Sequence, residues 1–598
     1  MDILKMESAN KMLIIPIVIL TVLTITLGLI QVGLPGLYMD AATRDYVVAI
    51  FTGRYRNDFW FFLFPFLGQP YNNHFTWVLG SPVYWMLGTS MFTLRLMNSI
   101  YLAACVVMVF IASKAILKKT WIPFFMCLVL ATSLTALIVV RTQFHVMQPG
   151  AALLIAAFYL LSRENPNITR WGLVLSGLMA GLAFYSYFVF LFFVPVLLIM
   201  AFFVKSDQNM YKPMQLFCWS LGFVIGASLY IVGYYYLFLR WIHPPNATML
   251  RNIGIIILFL LLGAPLYLVF SNKTKITDIL KRIYIVFIVL VTLLAAVVIV
   301  NGFDRFWSLL QPMISPLIVR TDAPLNLAER VERVLSAARG IVDNVNIERM
   351  VLGMNVTRGM GMLMRVFLAA NALSVIFSVS SLLKKNKEDY HLIKIWAYLW
   401  AMKMSFMFFC LFFASGIGAH HFPPVFFISF ISTGVAIQII LNGTNKLFGS
   451  LKWQQAILCA LLVSVLMLNI GNLRRFHGAL YETGGAGMFT EEINNLASDA
   501  LERQRTGVRE IYFFPEWGFM KGFAFLTGSN IRYFTRADVE RLRAAGVSHD
   551  YIRLPVWNRN QLELYLPLFR EAELHYEIVE HVSRNGRIAF FSIVGWGS

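Results

Sequence analysis

Long apolar runs alternate with short polar links along most of this chain. A helix that spans a bilayer needs about 20 apolar residues, and about thirteen runs approach that standard. These runs lie at 13–32, 96–117, 121–140, 146–161, 171–184, 188–204, 215–237, 253–270, 283–300, 362–382, 393–413, 422–441 and 453–470. The runs at 146–161 and 171–184 are short or rich in glycine. The pattern predicts a polytopic α-helical membrane protein.

Positive charge in the links predicts the orientation of these spans. Cytoplasmic links are enriched in Lys and Arg, and alternate links of this chain carry them. The residues are Lys5, Lys11, Lys114, Lys118, Lys119, Arg163, Arg170, Lys205, Lys212, Lys273, Lys275, Lys281, Arg282, Lys384, Lys385, Lys387, Lys446 and Lys452. We therefore expect a cytoplasmic N-terminus and, after an odd number of spans, a C-terminal segment on the outer side.

The outer side is predicted to hold three large pieces. Two are loops at about 35–95 and 301–361 within a membrane domain at 1–470, and the third is the segment 471–598. Alternating apolar residues in that segment predict a small α/β domain. The expected strands are 508–514, 531–534, 551–554, 576–581 and 588–594, with a helix at 536–545.

Composition supports this class of protein. Hydrophobic residues make up 58% of the 598 residues, and charged residues only 14%, whereas a soluble domain has about 25% charged residues. The formal net charge of +19 comes largely from the lysines of the links, so we expect no nucleic-acid partner. The five cysteines all lie in apolar runs, which indicates neither a disulfide framework nor a CxxC metal site.

Arginine replaces lysine in the two outer loops, which contain no Lys at all. The planar guanidinium offers a fork of donors that suits phosphate and stays charged at any relevant pH. An arginine-rich outer face therefore favours an anionic, lipid-linked ligand, although each arginine could instead form a salt bridge within its loop. The candidates for binding a donor phosphate in these loops are Arg44, Arg54, Arg56 and Arg320.

Two carboxylates follow the first span in the stretch GLPGLYMDAATRDY, residues 33–46. Pro35 and Gly36 interrupt the span, so Asp40 would lie at the outer membrane surface. A carboxylate there could act as a general base on an acceptor hydroxyl. Alternatively, Asp40 caps an interfacial helix over 40–53. Asp45 is a second candidate carboxylate, or one half of a surface salt bridge with Arg44.

Several histidines are expected at the outer ends of spans. The pair His420 and His421, between a glycine-rich stretch and two prolines, is a candidate for stabilising a phosphate leaving group, together with Arg141. We assign sugar or acceptor binding to Asn73, His74, His145 and Tyr185. The sequence has no HExxH and no DxD motif, so no metal or other cofactor is indicated.

The chain resembles the membrane glycosyltransferases of the GT-C fold, most closely the protein O-mannosyltransferases and the lipid A aminoarabinose transferases. The resemblance rests on LYMDAATRDY, PVYWMLGTSMFTLRLMNSIY, RTQFHVMQPGAALLIAAFYLL, GLVLSGLMAGLAFYSYFVFLFFVP and HHFPPVFF. It covers about 13–203 well and the remainder loosely. The family often has Asp-Glu where this chain has Asp40-Ala41, and its oligosaccharyltransferase motif WWDYG is absent here.

The resemblance implies transfer of a sugar from a polyprenyl-phosphate donor to an acceptor hydroxyl of a glycan, lipid or protein. Asp40 inherits the role of the family's first-loop carboxylate, and the location becomes the outer face of a bacterial inner membrane, with a periplasmic C-terminal domain. Two other functions stay open, a glycan ligase or polymerase and a transporter of a lipid-linked sugar. A transporter would be expected to show paired broken helices and buried charges near the midplane, whereas charge here concentrates in the outer loops, with Lys403 inside the eleventh span as the exception.

Overall fold

The computed structural model describes residues 2–37, 74–117, 120–142, 148–163, 167–206, 210, 212–241, 326–343, 345–358, 362–383, 387–411, 421–448, 451–516 and 518–597. Helices dominate the first part of this range, and we label them in chain order. They are α1 (Asp2–Leu29), α2 (His74–Leu87), α3 (Met91–Leu117), α4 (Trp121–Ala131), α5 (Leu134–Arg141), α6 (Gln148–Ser162), α7 (Arg170–Ser186), α8 (Val194–Phe203), α9 (Lys212–Trp241), α10 (Leu327–Asp343), α11 (Val345–Leu352), α12 (Met362–Leu383), α13 (Lys387–Cys410), α14 (Pro423–Phe448) and α15 (Leu451–Thr483).

Five helices among the described residues are long and apolar enough to cross a membrane. The five are Met91–Leu117, Met362–Leu383, Asp389–Cys410, Pro423–Asn445 and Lys452–Thr483. The chain is therefore a mostly helical, multi-pass membrane protein. Shorter apolar helices lie in other predicted spans, and the predicted spans 253–270 and 283–300 lie outside the described residues. The total of about thirteen spans stays a prediction.

Two predicted spans have interrupted helices. The run 121–140 forms α4 and α5, and Ser133 caps α5 by accepting a hydrogen bond from the Ala136 N–H. The run 188–204 begins as a 3-10 helix over Phe188–Phe193 before it continues as α8. Serine at an N-cap favours a new helix start, so the first interruption follows from the local sequence.

Glycines allow α7 and α9 to pack with their backbones in contact. A Cβ atom on Gly177 or Gly181 of α7 would strike the backbone of α9, and one on Gly222 or Gly226 would strike the backbone of α7. Both pairs have the spacing GxxxG, which lets membrane helices approach until their backbones touch. The Trp219 Nε1–H also donates to the Ser176 Oγ at 3.1 Å across this contact.

The C-terminal region is a small mixed α/β unit, as predicted. Its five-stranded sheet has the order β2-β1-β3-β5-β4, with β1 parallel to β2 and β3, and β5 antiparallel to β3 and β4. The elements are α16 (Glu492–Arg505), β1 (Glu510–Phe513), α17 (Met520–Leu526), β2 (Tyr533–Phe534), α18 (Val539–Ser548), β3 (Tyr551–Val556), α19 (Arg559–Glu571), β4 (His575–Val582) and β5 (Ile588–Trp596).

Apolar cores lie on both faces of this sheet. Ile511, Ile552 and Leu554 pack with Phe569 of α19 on one face. On the other face, a separate core contains α16, α17 and the side chain of Tyr512. The alternation of inward side chains along β1 and β3 is the pattern that predicted these strands. Sequence periodicity did not predict α16, α17 or α19, and the predicted helix 536–545 lies at Val539–Ser548.

The long helix α15 joins the two parts of the protein. Its 33 residues extend for about 50 Å, whereas the hydrocarbon core of a bilayer is about 30 Å thick. Its early part exposes Trp453, Ile457 and Met467, as expected of a helix that faces lipid. The helix therefore runs past the predicted boundary at 470 and carries the chain directly into the C-terminal region.

Candidate functional site

A polar site lies at the end of the first span. It comes just before the loop that carries Asp40 and Asp45, which we call the acidic loop. Residues 30–37 follow α1 and precede the predicted base, Asp40, so we call them the exit segment. Gln31 has a φ of 52°, the left-handed conformation that commonly ends a helix. Helix ends leave main-chain carbonyls without intrahelical partners, and side chains of distant helices bind these carbonyls here.

Arg141, at the end of α5, binds three main-chain carbonyls that follow Leu29, the last residue of α1. Its Nη1 donates to the Gln31 oxygen at 3.2 Å and to the Leu34 oxygen at 2.8 Å, and its Nη2 donates to the Ile30 oxygen. The side chain is only 1% exposed. A cation is favourable at the negative end of a helix dipole. Arg141 therefore caps α1, and its predicted role in binding the donor phosphate is not needed to explain its position.

Arg95, near the start of α3, binds the next part of the exit segment. Its Nη2 donates to the Pro35 oxygen at 3.1 Å, and the side chain is fully buried. The sequence interpretation missed this residue, although it lies in the quoted stretch PVYWMLGTSMFTLRLMNSIY. Two buried guanidinium groups therefore lie beside the segment that leads to Asp40. Both groups donate to main-chain carbonyls of the exit segment.

A third contact comes from α15. The Gln31 Nε2–H donates to the His477 main-chain oxygen at 2.9 Å, and the Gln31 Oε1 lies 3.0 Å from the His477 Nδ1. This reciprocal pair joins residues that are 446 positions apart in the chain. Residue 31 is therefore bound from both α5 and α15. The pairs with Arg141 and His477 leave the exit segment little freedom to rotate or shift.

Most of the predicted site residues lie outside the described residues. They are Asp40, Arg44, Asp45, Arg54, Arg56, Asn73, His145, Arg320 and His420. His74 is the first residue of α2. For all of these residues the functional assignments stay predictions.

His421 and Tyr185 can be located. The His421 Nδ1 lies 3.4 Å from the Tyr187 hydroxyl, and the two rings stack with centroids 5.7 Å apart. Tyr185, at the end of α7, is 1% exposed and so buried in the bundle. Tyr187, two residues further on, is the tyrosine that contacts a predicted site histidine. The sequence signal for it was the same aromatic stretch, AFYSYFVF, in which either tyrosine could have been chosen.

A second polar site lies within the bundle around Lys403 of α13. The Lys403 Nζ donates to the Ser432 Oγ at 3.0 Å and lies 3.7 Å from the centre of the Trp400 ring. The Trp400 Nε1–H donates to the Asn371 Oδ1 at 3.0 Å, and the Asn371 Nδ2–H donates to the Thr433 Oγ1 at 3.2 Å. Lys403 is 7% exposed, so it is buried among α12, α13 and α14.

Within the part of the chain that the structure describes, no group of three or more His, Cys, Asp or Glu side chains could hold a metal ion. The structure describes the hydrogen bonds to the exit segment and, separately, the His421–Tyr187 pair. No protein-family model matches the chain, and no curated protein matches it in sequence.

Proposed function

We propose that this protein is a membrane glycosyltransferase that moves a sugar from a polyprenyl-phosphate donor to an acceptor hydroxyl at the outer membrane surface. In this proposal Asp40 accepts the hydroxyl proton as the hydroxyl oxygen attacks the anomeric carbon of the sugar. The bond from that carbon to the phosphate oxygen breaks, and polyprenyl phosphate leaves with the electron pair. Asp45 is the second candidate carboxylate.

The observation that supports the proposal most is the binding of the exit segment. A general base is effective only when it is held within hydrogen-bond reach of the proton it removes, and a displacement of about 1 Å can cost about 100-fold in rate. Arg95, Arg141 and His477 bind the segment that ends three residues before Asp40. These contacts fix the main chain that leads to Asp40, which is what a positioned base requires.

The remaining assignments follow from charge. Arg44, Arg54, Arg56 and Arg320 stay candidates for the donor phosphate, with His420 and His421. Arg141 is reassigned from the phosphate to the exit segment, because both of its terminal nitrogens already bind main-chain carbonyls.

One observation favours a second candidate, a transporter of a lipid-linked sugar. Charges buried inside a membrane bundle often mark a substrate or ion pathway, and Lys403 is buried beside Ser432 and Trp400. A transporter needs no general base at Asp40. The two functions therefore differ in what the Asp40→Asn substitution does.

The test uses purified full-length protein in nanodiscs with a panel of radiolabelled polyprenyl-phosphate sugars, and follows release of polyprenyl phosphate. Glu502→Gln is the matched control, since Glu502 is an exposed carboxylate on α16. We expect one donor to be turned over, with turnover lost in Asp40→Asn and kept in Glu502→Gln. Turnover that persists in Asp40→Asn would refute the base assignment. Donor binding without turnover, unchanged by Asp40→Asn, would favour the transporter.

A further inference from the structure

The C-terminal region also binds the exit segment. The Gly36 N–H donates to the Phe489 oxygen at 2.8 Å. The Leu37 N–H donates to the Asn494 Oδ1 at 3.1 Å, and the Asn494 Nδ2–H donates to the Gly33 oxygen at 3.0 Å. A single amide side chain therefore binds the main chain on both sides of Pro35 and Gly36.

The fit between the two surfaces is close enough to exclude a side chain at either glycine. A Cβ atom on Gly36 would strike the Thr490 carbonyl, and one on Gly522 of α17 would lie 2.7 Å from the Leu37 oxygen. Real Cβ atoms are not found so near a backbone atom. The exit segment and the C-terminal region therefore meet backbone to backbone.

An apolar core continues across this contact. Leu37 is fully buried in a cluster with Tyr84, Met97 and Phe525, so that α2, α3 and α17 all contribute to it. The Tyr84 and Phe525 rings meet edge to face with centroids 5.8 Å apart. Because this cluster mixes residues from both parts of the chain, the C-terminal region is packed against the membrane part at the exit segment.

The surface that carries Asn494 is itself fixed to the sheet. Glu491, three residues earlier, forms an ion pair with Arg584 from the turn between β4 and β5. The hydrogen bonds with Glu491 raise the pKa of Arg584. The Glu491 N–H also donates to the Gly484 oxygen at 2.9 Å. These contacts connect the start of α16 to the far edge of the sheet and to the end of α15.

We infer that the C-terminal region positions the acidic loop for catalysis, and that Asn494 is the positioning residue. Asp40 follows Leu37 by three residues, which span at most about 11 Å when extended. Among the described residues before Asp40, Leu37 is the nearest to it in sequence, and Asn494 binds the Leu37 main-chain amide. The inference rests on the proposed function and adds that the region after α15 is a part of the site, which acts without touching the substrate.

The test compares Asn494→Ala, Asn494→Asp and the control Asn495→Ala in the full-length protein. Asn495 has the same chemistry, but its Nδ2–H donates to the Glu492 Oε1 on the surface. Asn494→Asp keeps an acceptor for the Leu37 N–H and loses the donor to Gly33. Two quantities are measured, the hydrogen exchange of the amides at 36–37 and the steady-state constants with the donor that the unmodified protein uses.

We expect Asn494→Ala to speed exchange at Leu37 and to lower kcat about 10- to 100-fold, with KM for the donor changed less than twofold. Asn494→Asp should lie between, and Asn495→Ala should match the unmodified protein. A general loss of folded protein would also lower the apparent kcat at unchanged KM, so thermal unfolding must show that Asn494→Ala is as fully folded as the unmodified protein under the assay conditions.

Three results would overturn the inference. The first is an unchanged kcat in Asn494→Ala, which would leave the proposed transferase intact. The second is unchanged exchange at Leu37 in that variant, which would show that Asn494 does not fix the exit segment. The third is an unmodified protein that turns over no donor, in which case the proposed function fails as well.

Discussion

Arg141 offers the sharpest test of how the first span ends. Its guanidinium is 1% exposed and donates to the carbonyls of Ile30, Gln31 and Leu34. A hydrogen bond to a charged group contributes about 1.5–3 kcal/mol, and a buried acceptor left without a donor costs about 1–3 kcal/mol. The Gln31 oxygen also accepts from the Leu34 N–H, so the cost falls on the Ile30 and Leu34 carbonyls. We therefore expect Arg141→Met to destabilise the protein by about 2–6 kcal/mol.

A conservative variant and a surface control complete the comparison with Arg141→Met. Arg141→Lys keeps the charge but replaces a planar fork by a single ammonium group, so it should cost less than Arg141→Met. Arg475→Met is the matched control, because Arg475 is exposed and its Nη1 donates only to the Asn472 side chain within one turn of α15. A surface substitution of this kind is expected to stay within about 0.5 kcal/mol.

The protein carries its own reporter for this measurement. Cys105, Cys127, Cys218 and Cys410 are buried, so a thiol-reactive dye should label them as the bundle unfolds on heating. The expected result is a midpoint that falls in the order of unmodified protein, Arg141→Lys and Arg141→Met, with Arg475→Met unchanged. An unchanged midpoint in Arg141→Met, accompanied by loss of donor binding, would refute the capping role and restore the predicted phosphate role.

The remaining predictions concern the bundle and the sheet. Gly181→Ala should push α7 away from the Phe223 carbonyl of α9 and cost about 1–3 kcal/mol, whereas Gly478→Ala, with no atom near its Cβ, should be neutral or slightly stabilising by thermal unfolding. Burial lowers the pKa of His581, which hydrogen-bonds to Ser592, to about 4. Because the unfolded chain then binds the proton more readily, stability is complete above about pH 6.5 and falls by up to about 3 kcal/mol as the pH drops toward 4. Hydrogen exchange of β4 and β5, corrected for intrinsic rates, should show this loss in the unmodified protein and not in His581→Gln.

The sequence by itself determined the class of the protein and much of the secondary structure. Apolar runs mark membrane helices because lipid leaves no partner for an exposed backbone, and the strands near 511 and 552 follow from alternation. Such patterns are properties of neighbouring residues. The glycine spacing of Gly177 and Gly181 is also visible locally, although the partner helix is not.

Tertiary structure alone decided what holds the exit segment. Asn494 binds Gly33 across 461 positions, and Arg141 binds Leu34 across 107. The acceptors in both cases are main-chain carbonyls. Because every residue has one, no side-chain pattern in the sequence predicts which carbonyl will be bound. The sequence predicts a phosphate ligand at Arg141, whereas the contacts that the structure gives it are with the main-chain carbonyls that follow α1. For the same reason, the sequence did not predict that the C-terminal region binds the exit segment.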